Sequence, residues 1–263
     1  MLILLPPSEG KATPRRGARL DLDRLSHSHR HPALATAREL AISALVETCR
    51  DDPERAADVL GLGPTQHDDL RRNAMLRQAP TARADAIYTG VLYDALDLAS
   101  LDPASRGRAS RWLAVTSSLF GMVSPGDRIP SYRLPGGTNL PGVGVVSAHW
   151  RAVLDPVVTE AAGSGVVIDL RSSTYASFWR PTPALAPRVA TLRVLQETEG
   201  RRSVVSHFNK ATKGRLVRSL LEHGEAPRSP ARLATLLGSL GWQVEPGPAS
   251  RHGLTLDVVV SAR

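Results

Sequence analysis

The sequence predicts an α/β (α+β) protein folded as a single compact mixed-sheet domain spanning residues 1–263. Three observations predict it. Short apolar runs of strand length alternate with segments of helical apolar spacing. Hydrophobic residues at 42% against 22% charged are an ordinary globular balance, even with Gly 21 and Pro 20. No internal repeat divides the chain, and no segment has the length and composition of an interdomain linker.

The elements follow in order. Leu2 to Leu5 reads as a buried strand stopped by Pro6-Pro7, after which Ser8-Glu9-Gly10-Lys11 makes a polar turn. Thr13 to His31, charged and aperiodic, reads as an exposed loop. Leu34, Ala37, Ala41, Leu45 and Thr48 line one face of a helix over Pro32 to Cys49. A helix opened by Pro53 ends at Gly61, and another begins near Thr65 as a cap. Ala104 to Ala109 reads as helix and Trp112 to Val115 as a strand. The glycines and prolines of 120–144 exclude regular structure through most of that stretch, and so long an irregular segment points to function. Ser147 caps a helix to about Ala162, and Val166 to Ile168 is a strand leading into Asp169-Leu170-Arg171-Ser172-Ser173. Val189 to Gln196 and Ser203 to Phe208 are strands joined by a hairpin-like turn at Glu199-Gly200. A helix to about His223, a helix from Ser229 to Leu240, and strands at Trp242–Val244 and Leu254–Val260 close the chain.

Composition narrows the function. The first residues have no basic segment before a short apolar run, which predicts a cytoplasmic protein with neither signal peptide nor membrane span. The single Cys49 forms no internal disulfide and reads as core or helix surface. A formal charge of +8 attracts anions, and nucleic acid is the commonest cytoplasmic polyanion. The cations are almost all arginine, the lysines being Lys11, Lys210 and Lys213 alone. A lysine in an arginine-using chain marks a place that needs a compact ammonium or an amine, or is chance.

The lysines fall at transitions out of strands, where open α/β sheets place ligands. Ser8-Glu9-Gly10-Lys11 lacks the first glycine and the trailing Ser/Thr of a phosphate loop, which rejects a P-loop site. Lys210 and Lys213, continued by Arg215 and Arg218, put cations at a helix start, where they oppose the macrodipole unless an anion binds; a solvated face is the alternative. Aromatics are only 4% of the chain, yet Tyr88-Thr89-Gly90, Tyr93-Asp94, Ser118-Leu119-Phe120-Gly121, Ser131-Tyr132-Arg133, His149-Trp150 and Asp169 to Tyr175 set them beside polar and charged groups. Such pairs stack bases or hold phosphate, and also make hydrogen-bonded cores. His27, His29 and His31 would face one way in a strand, but the flanks read as loop, so no metal ligand is assigned. Nucleophile-elbow, paired-cysteine and dinucleotide patterns are absent, and no cofactor is expected.

Taken in sequence, Met1 to Ser8, Tyr88-Thr89-Gly90, Ser118 to Gly121, Tyr132-Arg133-Leu134, Trp150, Val167 to Leu170 and Lys210 to Arg215 resemble the YaaA family across nearly the whole chain. The Pro6 to Lys11 turn and the Arg-rich loops set it apart from better-known members. The resemblance implies the family's own α/β fold, a basic cleft, a helix-hairpin-helix element used on DNA, and a role in limiting oxidative DNA damage by lowering free iron. Leu60-Gly61-Leu62-Gly63, within 54–77, fits that hairpin, its glycines letting backbone amides approach phosphate; a plain helix C-cap turn is the alternative.

Two functions compete. The leading one is sequence-independent binding of duplex DNA, with phosphate contacts from Lys11, Gly61, Gly63, Arg133, Arg171, Lys210, Lys213 and Arg215. The rival is an enzyme acting on a nucleotide, nucleic acid or other phosphate-bearing small molecule. Its pocket collects Lys11, Tyr132, Arg133, Asp169, Arg171 and Lys210, with lysine as base or nucleophile, arginine as phosphate clamp, and Glu9 or Asp169 in proton transfer. An iron-handling scaffold, favoured only by the histidine loop, comes third.

Overall fold

A computed structural model describes residues 1–198, 201–203 and 206–261. The first half of the chain runs β1 (Leu2–Leu5), α1 (Pro32–Asp51), α2 (Pro53–Leu60), α3 (His67–Ala74), β2 (Ala82–Arg83), α4 (Ala84–Ile87), α5 (Val91–Leu96), α6 (Pro103–Trp112), β3 (Leu113–Ser117) and β4 (Gly121–Val123). There follow β5 (Arg128–Ile129), β6 (Asn139–Leu140), β7 (Gly144–Val145), α7 (Val146–Arg151), α8 (Leu154–Ala162), β8 (Val167–Asp169) and α9 (Ser173–Ala176). The last part is β9 (Val189–Thr198), β10 (Arg201–Ser203), α10 (Ser206–His223), α11 (Pro230–Ser239), β11 (Gln243–Ser250) and β12 (Gly253–Ser261).

One mixed sheet organises the molecule, in the order β11-β12-β9-β8-β1-β3-β4, with β10 added beside β9. Its centre is parallel: β3, β1, β8, β9 and β12 all run the same way, with Leu4 opposite both Ala114 and Asp169. The edges β4, β10 and β11 are antiparallel. Residues Leu2 to Leu5 and Leu113 to Ser117 are buried at every position, as central strands of a parallel sheet covered on both faces require. The parallel strands, counted in chain order, lie 2-1-3-4-5 across the sheet, so the winding reverses between β1 and β8. The C-terminal end of such a reversal opens a crevice between the outgoing loops.

Several expectations shift for identifiable reasons. The predicted helix from Ser147 to Ala162 is two helices, and Ser147 is not its cap. Pro156 lacks an N–H and its ring clashes with the carbonyl of residue 152, so the chain breaks at Ala152–Val153. Thr65 lies inside a 3-10 turn, Pro64–Gln66, and the cap before it is Gly63. Residues 120–144 hold β4 to β6 as short antiparallel pairings, which a Gly/Pro count hides. Of the strand expected over Ser203 to Phe208, Ser203 belongs to β10, residues 204–205 lie outside the described residues, and from Ser206 on the chain is the helix α10. That start moves Lys210 and Lys213 beyond the first turn, so they do not oppose the dipole at its end. The predicted turn at Glu199-Gly200 lies outside the described residues.

The segment Thr13 to His31 is not wholly exposed. Leu25 and Ser28 are buried, His27 and His31 half-buried, and His29 exposed. Part of the reason is Arg38, a fully buried cation on α1 with no precedent in the apolar pattern. It donates to the carbonyls of Ser26, Phe120 and Met122 and to Ser28 Oγ, tying this segment and β4 to α1. Burial pulls its pKa down to about 10, and the Asp127 carboxylate partly offsets this. Cys49 is buried in the core. No described helix is long and apolar enough to cross a membrane.

Candidate functional site

The site is built where β1 ends. Pro6 and Pro7 stop the strand, and Tyr93 Oη donates to the Pro6 carbonyl at 2.7 Å. The following turn is closed by Ser8 Oγ donating to Gly10 O at 2.5 Å and pinned from outside by Thr89 N donating to Ser8 Oγ at 3.1 Å. The turn folds Lys11 back so that its Nζ donates to the Ser8 carbonyl at 2.8 Å, and its backbone bridges Tyr88.

All four tyrosines of the chain surround this turn. The Lys11 amine lies 4.4 Å from the Tyr132 ring centroid and 5.8 Å from that of Tyr88. Tyr88 and Tyr132 share a hydroxyl–hydroxyl hydrogen bond of 3.1 Å, and Tyr132 continues to Ser117 Oγ at 2.8 Å. Tyr93 stacks on Tyr88 with centroids 5.6 Å apart. Tyr175 reaches the group from α9, packing on Gly136. Burial pushes every one of these phenols above its ordinary pKa, so all four stay neutral donors and acceptors at physiological pH. The same burial lowers the Lys11 ammonium to about 7, helped by the positive charge of Arg133 and opposed by Glu9 and Asp69. A half-protonated amine over aromatic rings is the result.

Arg133 stands next to it. Its backbone is held by α3, where buried Asn73 both accepts from Arg133 N at 2.9 Å and donates to Arg133 O at 2.7 Å. Its guanidinium makes only long contacts, 3.3 Å to Glu9 O and 3.4 Å to the carboxylate of exposed Glu9, and its Nε is buried without a partner. A buried donor left unbonded is costly unless something else takes it up.

Across the winding reversal, the end of β8 is closed. Arg171 bonds Asp169 through Nε at 2.9 Å and Nη2 at 2.7 Å, and it also donates to the carbonyls of Tyr175 and Trp179. With every guanidinium nitrogen already bonded within the protein and the side chain 2% exposed, Arg171 is poorly placed to take a phosphate. The pair holds the Asp169 carboxyl below its usual range although burial pushes the other way. Lys213 crosses from α10 to donate to Leu170 O at 3.0 Å. Burial lowers its pKa, and Asp169 partly compensates.

The structure therefore brings Lys11, Tyr132 and Arg133 together, and sets Asp169, Arg171 and Lys213 beside them on the adjoining strand end. Lys210 and Arg215 stand exposed on α10. Gly61 and Gly63 join α2 to α3, on the helix that carries Asn73. Gly61 caps α2 in the left-handed region at φ 60, its N–H turned back to Asp58 O, while Leu62 N bonds Ala57 O. Gly63 N is taken by Gln66 Oε1 at 3.2 Å. An added Cβ at either glycine would meet open space. A concavity of about 880 Å³ against α1 shares no residue with the lysine–tyrosine cluster, and its Arg77 is paired with Glu39. A smaller one of about 210 Å³ opens beside Asp169 and Arg171. Asn73 carries no motif around it and was invisible in the sequence.

Fold and site together define a mixed-sheet α/β protein with a lysine–tyrosine centre at the C-terminal edge of its parallel strands. The chain belongs to the YaaA family: the family model described as peroxide stress protein YaaA matches residues 1–246. A UPF0246 protein of Streptomyces coelicolor is 52% identical over 262 residues, covering 99% of this chain and 98% of that one. A UPF0246 protein of Corynebacterium efficiens is 40% identical over 98% of this chain and 100% of its own length, and one of Corynebacterium glutamicum 36% identical over 98% and 100%.

Proposed function

We propose that the chain serves in peroxide-stress protection by binding duplex DNA without sequence preference, through phosphate contacts made around the edge where β1 and β8 end. The observation that carries this reading is Arg133, a largely buried guanidinium whose Nε has no partner and whose acidic neighbour is the solvent-exposed Glu9 side chain at 3.4 Å. A phosphate oxygen satisfies such a fork better than that carboxylate does. Exposed Lys210 and Arg215, on a chain of formal charge +8, extend the attraction beyond it. In this reading Gly61 and Gly63 belong to a helix-hairpin-helix element beside α3, and phosphate at Gly63 N replaces the Gln66 side chain. Titration of two unrelated duplexes of equal length, each at several salt concentrations, tests it. The expected result is equal affinity for both and a steep loss with salt; a large preference for one duplex contradicts it.

A second reading is favoured by one observation, the amine of Lys11 poised near pH 7. An amine that is half free base at neutral pH is suited to act as general base or nucleophile on a phosphate-bearing substrate. Lys11→Arg separates the two: it retains charge for a phosphate contact but removes the titratable amine. Near-normal binding with Lys11→Arg supports a contact role, and loss of a substrate turnover that Lys11→Ala also abolishes supports the enzyme.

A further inference from the structure

We propose that His27, His31 and Glu160 form a site for one divalent transition-metal ion of the zinc type, tying the segment before α1 to helix α8. One ligand atom from each of the three residues lies within 4.8 Å of the other two. His27 Nδ1 and His31 Nε2 are both buried, and neither has a hydrogen-bond partner. Two imidazole nitrogens sheltered from water in one place with nothing to bond are a cost that an ion removes.

The local backbone explains how the rings meet. His31 N donates to His27 O at 3.0 Å, one helical turn, which turns residues four apart to the same side while His29 faces solvent. The sequence reads as loop here, with no strand to align all three histidines, and the spacing that matters is four. The two rings stand with centroids 6.2 Å apart at 50°. His31 Nε2 is 2.9 Å from Glu160 Oε2, yet the contact lacks the alignment of a hydrogen bond. The other carboxylate oxygen, Oε1, is held by Arg30 at 2.6 Å, which orients Oε2 toward the histidines as an outer-shell partner does for a ligating carboxylate.

Two imidazoles and a carboxylate suit a borderline ion such as Zn²⁺ or Co²⁺ and leave a fourth position open. Bonds of about 2.0–2.2 Å in a tetrahedron bring ligand atoms to about 3.4 Å of one another. The Glu160 side chain, 37% exposed, has room to close that distance. The competing arrangement is a simple histidine–glutamate ion pair with no metal.

The test uses the full chain, stripped with a chelator and then titrated with Zn²⁺ against a chromogenic competitor. We expect one equivalent to bind, His31→Gln and Glu160→Gln each to weaken binding tenfold or more, and His29→Ala to leave it unchanged. Co²⁺ in place of Zn²⁺ should give the visible bands of a four-coordinate ion, absent in His31→Gln. Glu160→Gln alters a side chain at the surface, so its circular dichroism should match the parent and its result stands even if a histidine variant misfolds. No stoichiometric uptake by the parent chain, or uptake unchanged in both His31→Gln and Glu160→Gln, overturns the site.

Discussion

Lys11 holds its amine 4.4 Å from the centroid of the Tyr132 ring, while the Tyr132 hydroxyl is bonded to Ser117 and Tyr88. The rings shelter the ammonium from water and return only part of its hydration, which is why its pKa falls from 10.5 to about 7.

That shift has a thermodynamic signature. Between pH 7 and about 10.5 the unfolded chain keeps a proton that folded Lys11 has lost, so stability rises with pH through this window. Lys213, lowered by burial as well, acts in the same direction. Urea midpoints measured from pH 7 to pH 10 should climb for the parent chain. For Lys11→Met the climb should shrink, with a gain of about 1–2 kcal/mol near pH 7 after allowing for screening of a half-buried group. Equal slopes for the two proteins would show that the amine is as well solvated as in a free chain.

Removing Arg171 should be among the costliest single changes. Arg171→Ala leaves the Asp169 carboxylate buried and unpaired, at about 3–5 kcal/mol. Asp169→Asn with Arg171→Ala should cost less than the sum of the two alone, because the stranded charge is gone. The Asp169 pKa is depressed in the folded state, so its contribution is present above the ordinary carboxylate range and is lost as pH falls through the folded value. Thermal melts of the two single variants and the double variant, at neutral and acid pH, measure both effects.

Gly121 sits at φ 71, and a Cβ there would lie 2.6 Å from the Trp150 ring, itself anchored by a 2.7 Å hydrogen bond to Ser118 O. The ring is fully buried and has nowhere to move. Gly121→Ala should therefore destabilise by about 3 kcal/mol, combining left-handed strain with overpacking. Chemical denaturation reads it directly, and a loss below about 0.5 kcal/mol would mean the loop repacks freely.

Gly61 and Gly63 differ in what they can test. Gly61 is left-handed at φ 60, so Gly61→Ala should cost about 1 kcal/mol of stability whatever it does to binding. Gly63 has φ -79 and open space around it, so Gly63→Ala should leave stability within about 0.5 kcal/mol. A weaker affinity of Gly63→Ala for duplex DNA, with an unchanged melt, marks close backbone approach to phosphate. An unchanged affinity makes Leu60 to Gly63 a structural turn.

Much of the fold was legible because strands of a covered parallel sheet announce themselves as unbroken apolar runs. Leu2 to Leu5 and Val166 to Ile168 are such runs, the first ended by a proline and the second by a charge. What escaped was structure held by single long-range contacts. Arg38 is buried because four acceptors converge on it, two of them in the preceding loop and two more than eighty residues away, and Asn73 matters because it faces the backbone of Arg133. The loop reading of Thr13 to His31 excluded the strand in which His27, His29 and His31 would share a face, but a sequence without helical periodicity does not reveal the single turn that brings His27 and His31 together at a spacing of four. Within the site, Lys11 and Lys213 lie at the ends of β1 and β8 while Lys210 stands exposed on α10, and nothing in Asp169-Leu170-Arg171 tells that the arginine is consumed by its own neighbour.

If Arg133 at the strand ends and exposed Lys210 and Arg215 on α10 bind DNA phosphate, affinity must fall steeply with salt. The measurement is the slope of log affinity against log salt for one duplex with the parent chain and with Lys210→Ala/Arg215→Ala. The account predicts a steep negative slope for the parent, and a slope shallower by about 0.9 for each phosphate contact removed. A parent affinity that does not change with salt, or a double variant whose slope equals the parent's, would contradict it.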